Sequence, residues 1–174
     1  MITYVDTSSL LKILIEEEGS DRVEMVWDAA DALASVKLVV VEARAALAAA
    51  ARGARLTSDQ HEEAKTALSE LTGDLHLVEV SDELILRAAD LAEIESLRGY
   101  DAVHLAAALH VEAAVLTSVD DALCEAAARN GMYIANPLAR LTSGSAELGA
   151  AAIEGSHRHR PGRRHGGGVE SSQP

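Results

Sequence analysis

The chain has 174 residues, 48% hydrophobic and 25% charged, with a formal net charge of −13, as expected of one soluble domain with an ordinary core. Its single cysteine, Cys124, excludes an internal disulfide. No apolar stretch approaches the ~20 residues that span a bilayer, and the N-terminus enters a strand without a basic leader, so a cytoplasmic protein with no membrane partner is expected. The charge is uneven: residues 1–154 carry a net −16 and residues 155–174, with four arginines and Glu170, a net +3. An acidic body argues against grip on nucleic acid through phosphate neutralisation alone, and for a basic partner or bound cations. Aromatic residues are 2%, with no Phe, so base-stacking platforms are not expected.

Strands and helices alternate along the chain. Residues 2–6 read as a buried strand, after which Thr7 or Ser8 can cap a helix through Leu10–Ile15. Gly19-Ser20 punctuates it, and a second helix runs from 21 to 30 with Val23, Val26 and Trp27 on one face. A short strand at 32–36 leads to an alanine-rich helix, 38–52, ending at Gly53. A polar helix covers 58–72 and stops at Gly73, and residues 75–80 suggest a strand. Ser81 begins a helix whose Leu84, Ile85, Ala88, Leu91 and Ala92 recur at helical spacing. Arg98-Gly99-Tyr100 turns into another helix from Asp101. Strand 113–117, helix 121–129, a turn at Asn130-Gly131 and strand 132–135 complete the series. This alternation predicts a three-layer α/β/α fold with a mostly parallel central sheet.

Past Asn136-Pro137 the pattern fades, so residues 1–138 read as the domain and 139–174 as a Gly/Ser/Arg/His-rich tail. Its segment 156–168 has no apolar face to bury and reads as disordered. RNA contact by its arginines, metal capture by His157, His159 and His165, and a plain solvated tail are its alternative roles.

Four carboxylates stand where apolar runs meet helices: Asp6, Glu42, Asp101 and Asp120. Asp6 and Asp120 follow β-like segments at the edge where open α/β sheets gather ligands, whereas Glu42 and Asp101 sit on helical backbone. Carboxylates converging in a cleft repel one another, and Mg²⁺ or Mn²⁺ removes that cost. Mg²⁺ takes oxygen ligands and keeps several waters, so one or two direct carboxylates suffice.

The order Val5-Asp6-Thr7-Ser8-Ser9-Leu10, then Glu42, then Tyr100-Asp101-Ala102-Val103-His104-Leu105-Ala106, then Thr117-Ser118-Val119-Asp120-Asp121-Ala122-Leu123, closed by Asn136-Pro137, resembles PIN-domain ribonucleases, and among them VapC-type toxins of toxin–antitoxin systems. The resemblance covers residues 1–138. It implies a Mg²⁺-dependent endoribonuclease, with Mn²⁺ able to substitute, that hydrolyses RNA phosphodiesters with an activated water to leave a 5′-phosphate and a 3′-hydroxyl. Asp6 and Asp101 are assigned as direct metal ligands, with Glu42 and Asp120 completing the cage or orienting the water. Asp121 competes with Asp120 for the fourth place, and the spacing to Leu123 favours Asp120. The resemblance further implies a homodimer and a cognate VapB-type antitoxin. The antitoxin's basic segment would cross the acidic site and its helix would fill a groove. Leu11, Leu14, Ile15, Val23, Val26 and Trp27 can line that groove or simply belong to the core.

Supporting residues have double readings. Ser8 and Ser118 can hold a metal water or a substrate phosphate, or cap helices. His104, three residues after Asp101, shares its helical face and reads as packing or an outer hydrogen bond rather than a ligand. Arg98 can meet a phosphate or simply face water, Cys124 reads as core, and Asp82, Glu83, Glu93 and Glu95 read as a solvated face. Two other functions fit parts of the pattern. An Asp-based phosphatase or phosphoacceptor would use Asp6, yet it wants an Asp where Ser8 stands or a late lysine where Asn136-Pro137 stands. A catalytically silent binding module would not need all four carboxylates.

Overall fold

A computed structural model describes residues 1–139; the expectations for the tail lie outside the described residues. The elements are β1 (Ile2–Val5), α1 (Thr7–Leu14), α2 (Ser20–Ala29), β2 (Ala32–Val36), α3 (Val39–Arg52), α4 (Ser58–Asp74), β3 (His76–Val78), α5 (Asp82–Glu95), α6 (Gly99–His110), β4 (Val115–Thr117), α7 (Asp121–Arg129) and β5 (Tyr133–Ile134). The sheet is wholly parallel, in the order β3-β2-β1-β4-β5.

Strand alternation builds two cores. Successive side chains point to opposite faces, so Tyr4, Ala34, Val36 and Leu116 join the core under α5, α6 and α7, while Val5 joins Leu10, Val39, Leu47 and Leu68 of α1, α3 and α4 on the other face. Every residue from Ala102 to Ala108 is buried, as expected of a helix that is apolar all round. The alanines let α6 lie close to the sheet, and Leu105, fully buried, contributes about 2 kcal/mol of apolar transfer.

The chain builds β1, β2 and β3 outward in one direction, then crosses back to place β4 on the other side of β1. The strand order therefore reverses between β1 and β4, and at such a reversal the loops leaving the strand ends part to form a crevice. Asp6 leaves β1 there and Ser118–Asp120 leave β4 there.

Local chemistry differs from the sequence expectation in several places. The cap of α1 is Asp6, whose carboxylate accepts the Ser8 N–H; neither Thr7 nor Ser8 plays that part, because both already lie within the helix. Gly73 does not stop α4, which runs on to Asp74. The strands 75–80, 113–117 and 132–135 are trimmed to their paired residues. Glu95 is not a solvated acid: Arg129 Nε and Asn130 Nδ2 each donate to it at 2.8 Å, which fastens α5 to the end of α7. Ser81 caps α5 as expected.

Gly19 is required by its surroundings. Its φ is +90°, and an added Cβ would stand 2.9 Å from the Pro137 carbonyl oxygen. Arg22 Nη1 donates to the same carbonyl at 3.1 Å. Asn136-Pro137 is thereby laid against the start of α2.

Candidate active site

Asp6 stands between two elements of the crevice. It is 7% exposed, and its Oδ2 accepts from the Ser8 hydroxyl at 2.6 Å and the Ser118 hydroxyl at 2.8 Å. Each serine has one hydroxyl hydrogen and gives it to Asp6, so the 3.3 Å approach of the two serine oxygens is proximity alone. Each hydroxyl also accepts a backbone N–H, Ser8 from Val119 and Ser118 from Asp120, both at 3.0 Å. The capping readings of Ser8 and Ser118 are therefore corrected. They fasten the loop after β4 to the start of α1 and fix Asp6 Oδ2, leaving Oδ1 without a hydroxyl partner.

Glu42 lies in the first turn of α3, and its Oε2 accepts from Thr7 Oγ1 at 2.7 Å and meets His104 Nε2 at 2.8 Å. His104 is buried within the apolar run of α6, where an unpaired imidazole would be costly. Its Nδ1 meets the Tyr4 hydroxyl at 3.0 Å and lies 3.6 Å from Asp6 Oδ1. Burial pushes the His104 imidazole toward neutrality, but the Glu42 hydrogen bond and the charges of Asp6, Glu42 and Asp101 outweigh it and raise its pKa above the ordinary value. Burial likewise pushes the Glu42 carboxyl up, but the hydrogen bond and charge of His104, with the Thr7 hydroxyl, carry it below the ordinary value. Burial and the charge of Asp6 raise the Tyr4 phenol well above its usual range, so it stays protonated.

Asp101 and Asp120 face water and share one partner. Arg98 Nε donates to Asp101 Oδ2 and Arg98 Nη2 to Asp120 Oδ2, each at 2.7 Å. The Arg98 side chain is 77% exposed, against 16% for Asp101 and 29% for Asp120. Its pKa is raised by the hydrogen bond and charge of Asp101 and the charges of Asp120 and Asp6. Asp120 Oδ1 meanwhile caps α7 by accepting the Leu123 N–H at 3.0 Å.

These contacts bring all four sequence-predicted carboxylates to one edge of the sheet, tied together through His104, Ser118 and Arg98. Asp121 does not join them; its Oδ1 faces Asn136 Nδ2 at 3.4 Å. Cys124 is core, with its thiol pushed up to about 12 by burial and the neighbouring acids. The sequence reading had no role for Tyr4, gave Thr7 only the helix cap that falls to Asp6, and left Arg98 undecided. A hollow lined by Ile2, Leu33, His76, His110 and Val111 lies at the strand starts, away from the carboxylates.

Among the described residues, no three His, Cys, Asp or Glu side chains gather closely enough to cage a metal ion. The donor set nevertheless fits Mg²⁺ or Mn²⁺. It is all oxygen, and two carboxylates converge on a cation, the guanidinium of Arg98. Mg²⁺ needs only one or two carboxylates alongside water and substrate oxygens.

Residues 3–129 match the family model described as PIN domain. Two Mycobacterium tuberculosis proteins, ribonuclease VapC45 and ribonuclease VapC49, are each 40% identical over 110 residues, which span 63% of this chain and 76% of each relative. Among solved structures, PAE2754 from Pyrobaculum aerophilum superposes with a TM-score of 0.61 at 19% identity, covering 88% of this chain and 90% of that one. A toxin–antitoxin complex from Klebsiella pneumoniae does so with 0.57 at 17%, covering 79% and 99%. At those identities the structures speak for the fold, and no helix among the described residues is long and apolar enough to cross a membrane. The family model and the two relatives establish that this chain belongs to the PIN-domain family and is of the VapC type.

Proposed function

We propose that the protein is a Mg²⁺- or Mn²⁺-dependent endoribonuclease, the toxin of a toxin–antitoxin pair. The observation that carries this reading is the convergence of Asp6, Glu42, Asp101 and Asp120 at the strand-order reversal, with Asp101 and Asp120 turned onto one cation. The naming of both M. tuberculosis relatives as ribonucleases supports it.

Asp101 and Asp120 are the groups that would hold the cation, with Asp6, whose Oδ1 lies 3.6 Å from His104 Nδ1, adding its charge beside them. A bound divalent ion supplies charge that polarises a phosphoryl oxygen and acidifies a water. The chain's own residues do the rest. Ser8 and Ser118 hold Asp6 in one rotamer, so its charge is placed before substrate arrives. His104 and Thr7 hold Glu42 Oε2, leaving Oε1 to orient the attacking water. The expected reaction is in-line hydrolysis of an RNA phosphodiester. The enclosure of Asp6 Oδ2 by two hydroxyls disfavours Asp6 as a phosphoacceptor.

The acidic body suits a VapB-type antitoxin whose basic segment crosses the carboxylates. Leu11, Leu14, Ile15 and Trp27 are half-buried against the core of α1 and α3, which leaves part of each for an antitoxin helix. Val23 is fully core and drops out of that groove. The VapC type also carries the expectation of a homodimer in the cytoplasm.

The test is cleavage of a panel of structured RNAs by antitoxin-free protein in Mg²⁺, Mn²⁺ or chelator, beside Asp101→Asn. Cleavage that needs the metal and disappears in the variant supports the reading. Inert wild-type protein that is folded and metal-loaded, on every RNA offered, sinks it in favour of a silent binding module.

A further inference from the structure

Arg98 occupies an unusual position. It stands at the N-cap of α6 without capping it, and its guanidinium spans Asp101, one helical turn on, and Asp120, which follows β4 at the start of α7. Without a cation there, the two carboxylate oxygens would face one another as like charges. The arginine arrives from solvent and its side chain is largely exposed, so letting go returns it to water, and exposed ion pairs of this kind are weak. The carboxylates it holds are far less exposed than it is.

We propose that Arg98 is a built-in counter-ion that exchanges with the divalent cation, occupying the Asp101–Asp120 pair when metal is scarce and leaving when metal enters. This rests on the metal site of the proposed function and adds a competitor to it. A site that is partly self-occupied binds its ligand with an apparent affinity reduced by the occupied fraction. Arg98 therefore sets the metal concentration at which the site fills. A lysine could neutralise the same pair, but its point charge lacks the planar fork that meets both oxygens at once.

The experiment is Mn²⁺ binding to the full chain, read by calorimetry and by the loss of free Mn²⁺ signal in electron paramagnetic resonance, for wild type, Arg98→Gln and Arg98→Lys. Arg98→Gln is expected to bind Mn²⁺ about threefold to tenfold more tightly than wild type, with Arg98→Lys between them. The thermal midpoint of Arg98→Gln should also rise more on adding Mn²⁺ at a fixed subsaturating concentration. Equal affinities, or weaker binding by Arg98→Gln, overturn the exchange while leaving the metal site standing. If none of the three proteins binds Mn²⁺, the metal reading falls and the exchange falls with it. Arg98→Lys, which keeps the charge at an exposed position, guards against a folding defect in the glutamine variant.

Discussion

Asp6 and Glu42 sit behind hydroxyls and an imidazole, whereas Asp101 and Asp120 meet one arginine that reaches in from water. The first pair is held by side chains that are themselves anchored: Ser8 and Ser118 by backbone N–H groups, and His104 by the Tyr4 phenol. The second pair is held by a largely solvent-exposed cation. Within one cluster of four acids, geometry is fixed on the buried side and exchangeable on the open side. A site that must admit a cation and a polymer phosphate needs both. Anchored groups give pre-organisation, and an exchangeable partner gives access without leaving the acids to repel each other.

The sharpest way to break this comparison is to truncate one acid from each side. Asp6→Ala removes the cap of α1 and strands the hydroxyls of Ser8 and Ser118, for an expected loss of about 2–4 kcal/mol in urea denaturation. Asp101→Ala should change stability by no more than about 0.5 kcal/mol. Both should reduce metal-dependent cleavage by more than about a hundredfold. Equal stability losses would mean the two sides are built alike.

His104 tests the anchored side from behind. His104→Ala leaves a cavity in α6 and removes the partner of Glu42 and Tyr4, for an expected loss of about 3 kcal/mol. Tyr4→Phe should cost about 1 kcal/mol, because the phenol is one hydrogen bond further from the acid. The same denaturation curves read both. If Tyr4→Phe costs as much as His104→Ala, the imidazole is anchored mainly by Tyr4 and not by Glu42.

The four acids were legible in the sequence because each occurs where a local apolar pattern changes, and such changes are visible within a few residues. The helices were legible for the same reason; α7 was bounded at 121 and 129, its end marked by the Asn-Gly turn. The partners of the acids were not legible. His104 and Glu42 are 62 residues apart and Arg98 and Asp120 are 22 apart; the packing of α6 against β2 brings the first pair together, and the placing of β4 beside β1 the second. Period and propensity carry no information on strand order. One signal was present for His104: an imidazole in the otherwise apolar run from Ala102 to Ala108 has to find a polar partner. A weaker one marked Arg98, three residues before an acid at a helix start.

Titration offers a milder perturbation of the anchored side. The His104 pKa is raised above 6.5, so its contribution to stability is fully present below that value and is lost as pH rises through the folded-state value. The Glu42 pKa is lowered below 4.5, so its contribution is present above that value and is lost as pH falls through the folded-state value. In metal-free protein, the stability difference between wild type and Glu42→Gln should therefore be greatest between pH 4.5 and 6.5. It should shrink on either side. A difference that stays flat from pH 4.5 to pH 9 would show that His104 is neutral in the fold.

The smallest expected change in stability separates two adjacent acids on the open side. Asp120 has two duties, one on each oxygen: Oδ1 caps α7 through the Leu123 N–H, and Oδ2 meets Arg98. Asn caps as well as Asp, so Asp120→Asn keeps the first duty and loses the charge needed for the second. Asp121 has neither, since its carboxylate faces Asn136. Asp120→Asn and Asp121→Asn should both denature within about 0.5 kcal/mol of wild type. Only Asp120→Asn should weaken Mn²⁺ binding and cleavage, by about tenfold or more. The reverse result would make Asp121 the acid that serves the site and would require the loop after β4 to turn by one residue when metal binds. The Ser118 hydroxyl, which ties the Asp120 N–H to Asp6, opposes that movement.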